Sequence, residues 1–360
     1  MDEFSYTRFI IDLSAIKSNA KTIKNLVGKN TKMCAMVKAN GYGSEISHVA
    51  KSIDNLVDCF GVATLSEGIR LRKNGIKSDI LIMQPVKISL IDLYAYYNLT
   101  PSVGDIWHLN KLSSECLRPL KVHFCIDTGM HRFGFLEKSQ IEDAITILKN
   151  NKNLILTGAF SHLATKEGDV DYIGHQAHNF EDLTRALPKE TTLHLANTNA
   201  TFNHPNLHYD MVRVGFAIYG YFNNKKLKKS LSIKSELVSV NTFEAGETIG
   251  YDRTCTLKRE TKVGVVPIGY ADGYDRKLSN IAYVLINGKR ANVLGNVCMD
   301  CFMVDLTNVP DAQIGTEVTI LGRSGRASIC LSHYAKWLNE SEYACLLKFN
   351  SNRMKVEFVE

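Results

Sequence analysis

Apolar residues come in two textures along this chain, and the change between them falls near residue 230. Before it, contiguous apolar runs recur at 33–39, 59–64, 80–85, 99–103, 121–127, 154–162, 192–198 and 212–219. Runs of this length suit strands buried on both faces. Most are separated by stretches with apolar residues three to four apart, such as 66–73, 138–150 and 172–186, and that spacing predicts amphipathic helices. Ahead of the rhythm, residues 7–12 read as a strand, and Leu13, Ile16, Ala20, Ile23 and Val27 as a helix capped by Ser14 and ended by Gly28. Eight strand–helix units predict an α/β fold of the parallel (β/α)8 type, a TIM barrel over residues 8–230. An open doubly wound sheet usually stops at fewer strands.

Past the connector Lys225-Lys226-Leu227-Lys228-Lys229 the runs shorten and alternate: 237–243, 262–268, 282–286, 291–294, 301–305 and 317–321. Asn287-Gly288 between two of them is a hairpin signal. Residues 231–360 are therefore expected to form a mostly antiparallel β domain, with residues 1–7 packing against it.

Composition narrows the class. An apolar content of 45% with 22% charged residues in 360 is that of globular domains with sizeable cores. The formal charge of +6 is mild and no basic stripe is interleaved with aromatics, which argues against nucleic acid as a partner. Nine scattered cysteines are read as reduced thiols, and Cys298-Met299-Asp300-Cys301 is a lone C-x-x-C without the second pair a structural zinc site needs. The eleven histidines show no H-x-H at a strand end, against a metal-dependent barrel hydrolase. With no basic-then-apolar leader and no run of about 18 apolar residues, the expectation is a cytoplasmic protein that does not engage a membrane.

Candidate chemistry starts at Met36-Val37-Lys38-Ala39-Asn40-Gly41-Tyr42-Gly43. A lysine carried to the mouth of a buried strand loses hydration, which lowers its pKa and leaves a neutral amine able to attack a carbonyl. The bland alternative is a lysine whose stem packs while its head reaches water. Other polar residues at the ends of the expected strands are Thr64, Gln84, Asp127 with Arg132, His162, Asn197 with Thr198, and Arg213. A barrel serving only as scaffold has no need of so many polar groups on one face.

Three further stretches, Ile126-Asp127-Thr128-Gly129-Met130-His131-Arg132-Phe133-Gly134, Ile249-Gly250-Tyr251 and Ile268-Gly269-Tyr270-Ala271-Asp272-Gly273, stand with Val297-Cys298-Met299-Asp300. Together with the lysine motif they resemble the alanine racemase family, fold-type III pyridoxal-phosphate enzymes, in order and spacing from about residue 8 to 350. The resemblance implies an isomerase that interconverts L- and D-alanine and supplies D-alanine for peptidoglycan. It implies that Lys38 carries pyridoxal 5′-phosphate, an electron sink for a carbanion at Cα. Racemisation needs a base on each face of that carbon; Lys38 would serve one, and Tyr251 from the second subunit of a homodimer the other. Arg213 would donate to the pyridine nitrogen, and His162 would link that arginine to the catalytic tyrosine. Tyr42, Thr198 and the amides of Gly215 and Phe216 would hold the phosphate. Arg132 would hold the substrate carboxylate, Met299 would line the substrate pocket, and Tyr270, Arg276 and Glu167 the entry corridor.

Three positions depart from the family pattern. Cys125 stands where the family often has a carbamylated lysine bracing the substrate arginine, Asn296 replaces a frequent arginine, and Phe349 replaces a tyrosine that borders phosphate and substrate. A serine or broad-specificity racemase is the nearest alternative. A pyridoxal-phosphate decarboxylase would typically carry a Gly-rich phosphate loop, and a non-catalytic cofactor-binding barrel would lack the β domain.

Overall fold

The structure is a computed structural model and describes residues 3–165, 169–349 and 351–360; Glu167 lies outside the described residues. The chain divides into two compact units, residues 15–228 and residues 1–14 with 229–360.

The first unit is an eight-stranded parallel barrel. Its strands are β2 (Lys32–Met36), β3 (Cys59–Val62), β4 (Asp79–Pro85), β5 (Thr100–Val103), β6 (Leu120–Cys125), β7 (Leu154–Phe160), β8 (Thr192–His194) and β9 (Met211–Val214), following β1 (Arg8–Asp12) of the other unit. Each pairs with its successor from β2 to β8, and β9 returns to pair with β2. The remaining seam, between β8 and β9, is closed by backbone bonds from Asp210 N to Leu193 O (3.0 Å) and from Arg213 N to Ala196 O (2.9 Å). Every expected barrel strand is present, because strands buried on both faces leave an uninterrupted apolar signature. Tight packing inside the barrel is visible at two strand glycines. A Cβ on Gly61 would meet Met36 Sδ at 2.3 Å, and one on Gly158 would meet the His123 ring at 2.5 Å, so a large side chain is accommodated opposite each.

The helix expected after β1 runs Leu13–Val27, starting one residue ahead of Ser14. Ser14 Oγ donates to Asp12 Oδ1 (2.7 Å) from inside the first turn, so Ser14 is not the cap. Gly28 ends the helix at φ +80°, a conformation in which a side chain would be strained.

The second unit is built on a ten-stranded sheet. Its order is Ser239–Phe243, Thr261–Val266, Phe302–Asp305, Lys289–Leu294, Tyr283–Ile286, Glu317–Ser324, Leu231–Glu236, β1 and Lys355–Val359, with Ala327–Ile329 added beside Glu317–Ser324. All pairings are antiparallel except that of β1 with Lys355–Val359. β1 thus belongs to this sheet, whereas a domain boundary at residue 8 assigns it to the barrel. Nothing local in the sequence shows the pairing, since its neighbours Leu231–Glu236 and Lys355–Val359 lie far along the chain. The Asn287-Gly288 turn has both φ values positive, +51° and +76°, as a two-residue hairpin with primed geometry requires. The unit also holds a two-stranded antiparallel ribbon, Thr248–Ile249 with Cys255–Thr256, and two short helices, Leu331–Leu338 and Glu342–Lys348.

Candidate active site

The mouth of the barrel is formed where β2, β6, β7 and β9 end. After β2 the backbone enters the left-handed region at Ala39 (53°, 52°), Asn40 (54°, 46°) and Gly41 (67°, 40°), and stays at positive φ through Tyr42 and Gly43. These values are those of a left-handed helix, which costs about 1–2 kcal/mol for each residue that carries a Cβ. Strain of this kind persists only where the surroundings enforce it, and it concentrates at functional sites. The turn sets Lys38 at its start and folds Tyr42 inward; Tyr42 is buried, with its ring 5.0 Å from that of Tyr219.

Lys38 opens to the mouth, yet the protein around it removes enough water to lower its pKa, and the charges of Arg132 and Arg213 push in the same direction. Glu67 opposes them. The amine is therefore easier to deprotonate than a surface lysine, as its position after a buried strand predicts.

Tyr42 closes over a cradle made by two other segments. Thr198, buried at the start of the helix Thr198–Asn203, accepts from Gly215 N at 3.1 Å. A Cβ on Gly215 would come 2.4 Å from Tyr42 Oη and 3.3 Å from Met36 Cβ. Only glycine fits there, so the phenol, the threonine hydroxyl and the Gly215 amide converge. The chain turns at once, Ile218 N donating to Gly215 O (2.8 Å), and buries Phe216 against Tyr221.

Arg213, on β9 opposite Cys34, is buried. Its NH1 donates to His194 O (2.7 Å) and His194 Nδ1 (3.1 Å), and its NH2 to Ser161 O (2.6 Å), Leu195 O (3.3 Å) and His162 Nδ1 (3.4 Å). Among the described residues no group accepts from its Nε–H. Burial lowers its pKa only to about 10, so the guanidinium stays charged at neutral pH. Behind it a chain of rings continues: His194 Nε2 lies 3.1 Å from His123 Nδ1. Arginine can only donate, so His194 accepts at Nδ1, carries its proton on Nε2 and passes it to His123 Nδ1 as a hydrogen bond. Burial holds both rings neutral, His123 down to about 3 and His194 well below the usual imidazole range. His162 is likewise held down to about 3, by burial first and by Arg213 next. The link between His162 and Arg213 is thus in place, while the stronger contact of Arg213 is to His194. The sequence signal for that partner was a histidine within an apolar run, Leu193-His194-Leu195.

Arg132 sits on the loop after β6. Asp127 shapes that loop by accepting from the amides of Gly129 (2.9 Å), His131 (3.0 Å) and Arg132 (3.1 Å). Tyr172 Oη and Gln176 Nε2, from the helix Val170–Thr184, brace it at Gly129 O (2.8 Å) and Thr128 Oγ1 (3.2 Å). Cys125, where a bracing lysine was the family pattern, is buried with its thiol pushed up to about 12, and Sγ donates to Phe133 O at 3.4 Å. The guanidinium carbon of Arg132 lies 4.8 Å over the Phe133 ring.

Two of the other polar residues at the strand ends serve as helix caps. Thr64 caps the helix Leu65–Lys73, Asn197 caps Thr198–Asn203, and Gln84 is exposed.

Tyr251, Tyr270 and Met299 belong to the second unit and are exposed, at 67%, 43% and 52%. One segment ties them together. Asn296 Nδ2 donates to Tyr251 O (3.1 Å) and Asp252 Oδ2 (3.0 Å), and Tyr270 N donates to Cys298 O (3.1 Å). Arg276 reaches Asp252 Oδ2 at 3.3 Å. Asn296 thereby occupies the frequent arginine's position as a backbone tie. A Cβ on Gly269 would lie 2.2 Å from Met299 O, so that glycine lets the two loops touch. Phe349 is buried and edge-on to Tyr334, with ring centroids 5.5 Å apart.

Fold and site together define a barrel enzyme whose mouth gathers a lysine of lowered pKa and two arginines. The particular family follows from the comparisons. The alanine racemase N-terminal domain model matches residues 11–223 and the C-terminal domain model residues 230–357. Alanine racemase 1 of Caldanaerobacter subterraneus subsp. tengcongensis is 36% identical over 344 residues, 91% of this chain and 89% of that protein. The alanine racemase of Ligilactobacillus salivarius is 36% identical over 351 residues, 94% of each. Among solved structures, alanine racemase from E. faecalis matches with a TM-score of 0.93 at 34% identity, covering 98% of each chain. A histidine racemase from Leuconostoc mesenteroides subsp. sake matches at 0.92 with 26% identity, over 100% of this chain and 99% of that one. The chain belongs to the alanine racemase family of pyridoxal-phosphate-dependent isomerases.

Proposed function

We propose that this chain carries pyridoxal 5′-phosphate on Lys38 and interconverts the enantiomers of alanine with Lys38 and Tyr251 as its two bases. The observation that carries this reading is the cradle in which Tyr42 Oη, Thr198 Oγ1 and the Gly215 amide converge where a Cβ is excluded. The charges fit as well. Lys38, Arg132 and Arg213 meet at one mouth, and the nearest carboxylate on the Arg132 loop, Asp127, is already engaged by three amides. A ligand bringing a phosphate, a phenolate and a substrate carboxylate matches that donor set.

When bound, the cofactor withdraws electron density from Cα and so makes its proton removable. Arg132 holds the substrate carboxylate and thereby fixes which face of Cα each base meets. The lowered pKa of Lys38 makes its Nζ easier to deprotonate than a surface lysine, so it is suited to take a proton and return one. Arg213, whose guanidinium keeps its proton and whose Nε–H is not engaged among the described residues, would donate from Nε to the cofactor's pyridine nitrogen.

We assign the second base to a second copy of the chain. Tyr251, Tyr270 and Met299 form an exposed, partly apolar group that a partner subunit's barrel mouth would cover. We assign the working form as a homodimer with shared sites. All nine cysteines are free, which suits the reducing cytoplasm.

Borohydride reduction of the cofactor-loaded protein tests the assignment at its anchor. The label is expected on the peptide that contains Lys38, and recovery on any other lysine would overturn it.

A further inference from the structure

The left-handed turn that presents Lys38 and Tyr42 does not hold itself. Its internal bonds, Gly41 N to Val37 O (2.8 Å), Gly43 N to Ala39 O (2.9 Å) and Ser44 N to Gly41 O (3.0 Å), resemble those any tight turn has. Three of the residues with positive φ, Ala39, Asn40 and Tyr42, carry a Cβ and favour the right-handed region when unconstrained.

Restraint comes from the next strand–helix unit, at two residues one helical turn apart on Leu65–Lys73. Glu67 is itself fixed by a capping box, its amide donating to Thr64 Oγ1 (3.3 Å). Its Oε2 accepts from Ala63 N (2.9 Å) and Thr64 N (3.2 Å), and its Oε1 reaches across to accept from Asn40 N (3.1 Å). Arg70 grips the same turn from its far side. NH1 donates to Asn40 Oδ1 (2.9 Å), and NH2 donates to both carboxylate oxygens of Glu45, at 2.8 and 2.6 Å. Asn40 Nδ2 donates to Glu45 Oε1 (2.9 Å), and Asn40 Oδ1 accepts from Ile46 N (3.2 Å). Backbone and side chain of Asn40, the middle of the strained segment, are thus held from both sides. Glu45 also has positive φ, +62°, so the clamp spans both ends of the irregular stretch.

We propose that Glu67 and Arg70 are positioning residues that lock the turn at residues 39–43 in its left-handed form and thereby aim Lys38 and Tyr42 at the cradle. Each acts through Asn40. The inference rests on the reading of Lys38 and Tyr42 as cofactor-holding residues, but the state of the turn can be read without the cofactor. Glu67 is also the carboxylate whose charge favours the Lys38 ammonium, so the clamp and the nucleophile are coupled electrostatically.

The experiment compares wild type, Arg70→Met, Arg70→Lys and the double variant Arg70→Met with Ala39→Gly. Hydrogen exchange of the amides of Gly41, Gly43 and Ser44 is followed in cofactor-free protein, and pyridoxal-phosphate affinity is titrated separately. Arg70→Met is expected to speed exchange of these three amides at least about tenfold, the equivalent of 1.4 kcal/mol. It should weaken cofactor affinity by a similar factor, while exchange elsewhere in the barrel and the thermal midpoint hold. Arg70→Lys should recover part of both. Ala39→Gly should restore affinity in the Arg70→Met background, because glycine adopts positive φ without the penalty the clamp offsets. Wild-type exchange at all three amides in Arg70→Met would overturn the proposal, as would a failure of Ala39→Gly to rescue. A fall in the thermal midpoint with faster exchange throughout the barrel would also overturn it, by making Arg70 a general stabiliser. Labelling of a lysine other than Lys38 would sink the functional reading and leave the exchange result standing.

Discussion

Arg132 shows how one residue is aimed when its usual charged brace is missing. A thiol held up to about 12 is an S–H donor at any working pH, so Cys125 offers the arginine no countercharge. It pins the carbonyl of Phe133 instead, and the Phe133 ring supports the guanidinium from below. A cation–π pair near the surface contributes about 0.5–1 kcal/mol. Phe133→Leu is accordingly expected to raise KM for alanine about two- to fivefold with cofactor affinity unchanged, which steady-state kinetics beside a cofactor titration will show. The presence of Arg132, Tyr42 and Lys38 in the site was legible as motif. The brace was not, because a thiol–carbonyl contact and a ring face leave no pattern in sequence.

At the scale of elements, β6 and β8 do more than close the barrel, since they carry His123 and His194 into a chain ending at Arg213. In the unfolded chain these rings titrate near 6.5, but His123 and His162 stay neutral in the fold down to about 3. Below pH 6.5 the unfolded chain therefore binds more protons than the folded one. This contribution to stability is complete above pH 6.5 and is lost as pH falls toward 3, by about 1.4 kcal/mol per pH unit for each ring. Urea midpoints of the cofactor-free protein should drop between pH 7 and pH 5, and His123→Gln should flatten that slope. The barrel strands themselves were readable because burial on both faces removes polar residues from whole runs. Other elements were hidden for stated physical reasons. Leu331–Leu338 is a short helix whose buried Leu331, Tyr334 and Leu338 are too few to establish a period. The placement of β1 depends on segments more than 200 residues away. The capping box from Thr64 to Glu67 was present in sequence as a helix start, yet its reach to Asn40 exists only once β2 and β3 lie side by side.

For the whole molecule, the division of labour is between a barrel that gathers Lys38, Tyr42, Arg132, Thr198 and Arg213 and a β unit that exposes Tyr251, Tyr270 and Met299. In the proposed mechanism the two bases come from different copies of the chain. Subunit mixing decides it: Lys38→Ala and Tyr251→Phe proteins, each expected to be inactive in alanine racemisation, are dissociated, combined in equal amounts and reassociated. Half of the dimers formed at random are hybrids, and each hybrid holds one intact site and one site lacking both bases. Roughly a quarter of wild-type activity should return on mixing. No recovery, with hybrid dimers demonstrated in the sample, would place both bases within one chain.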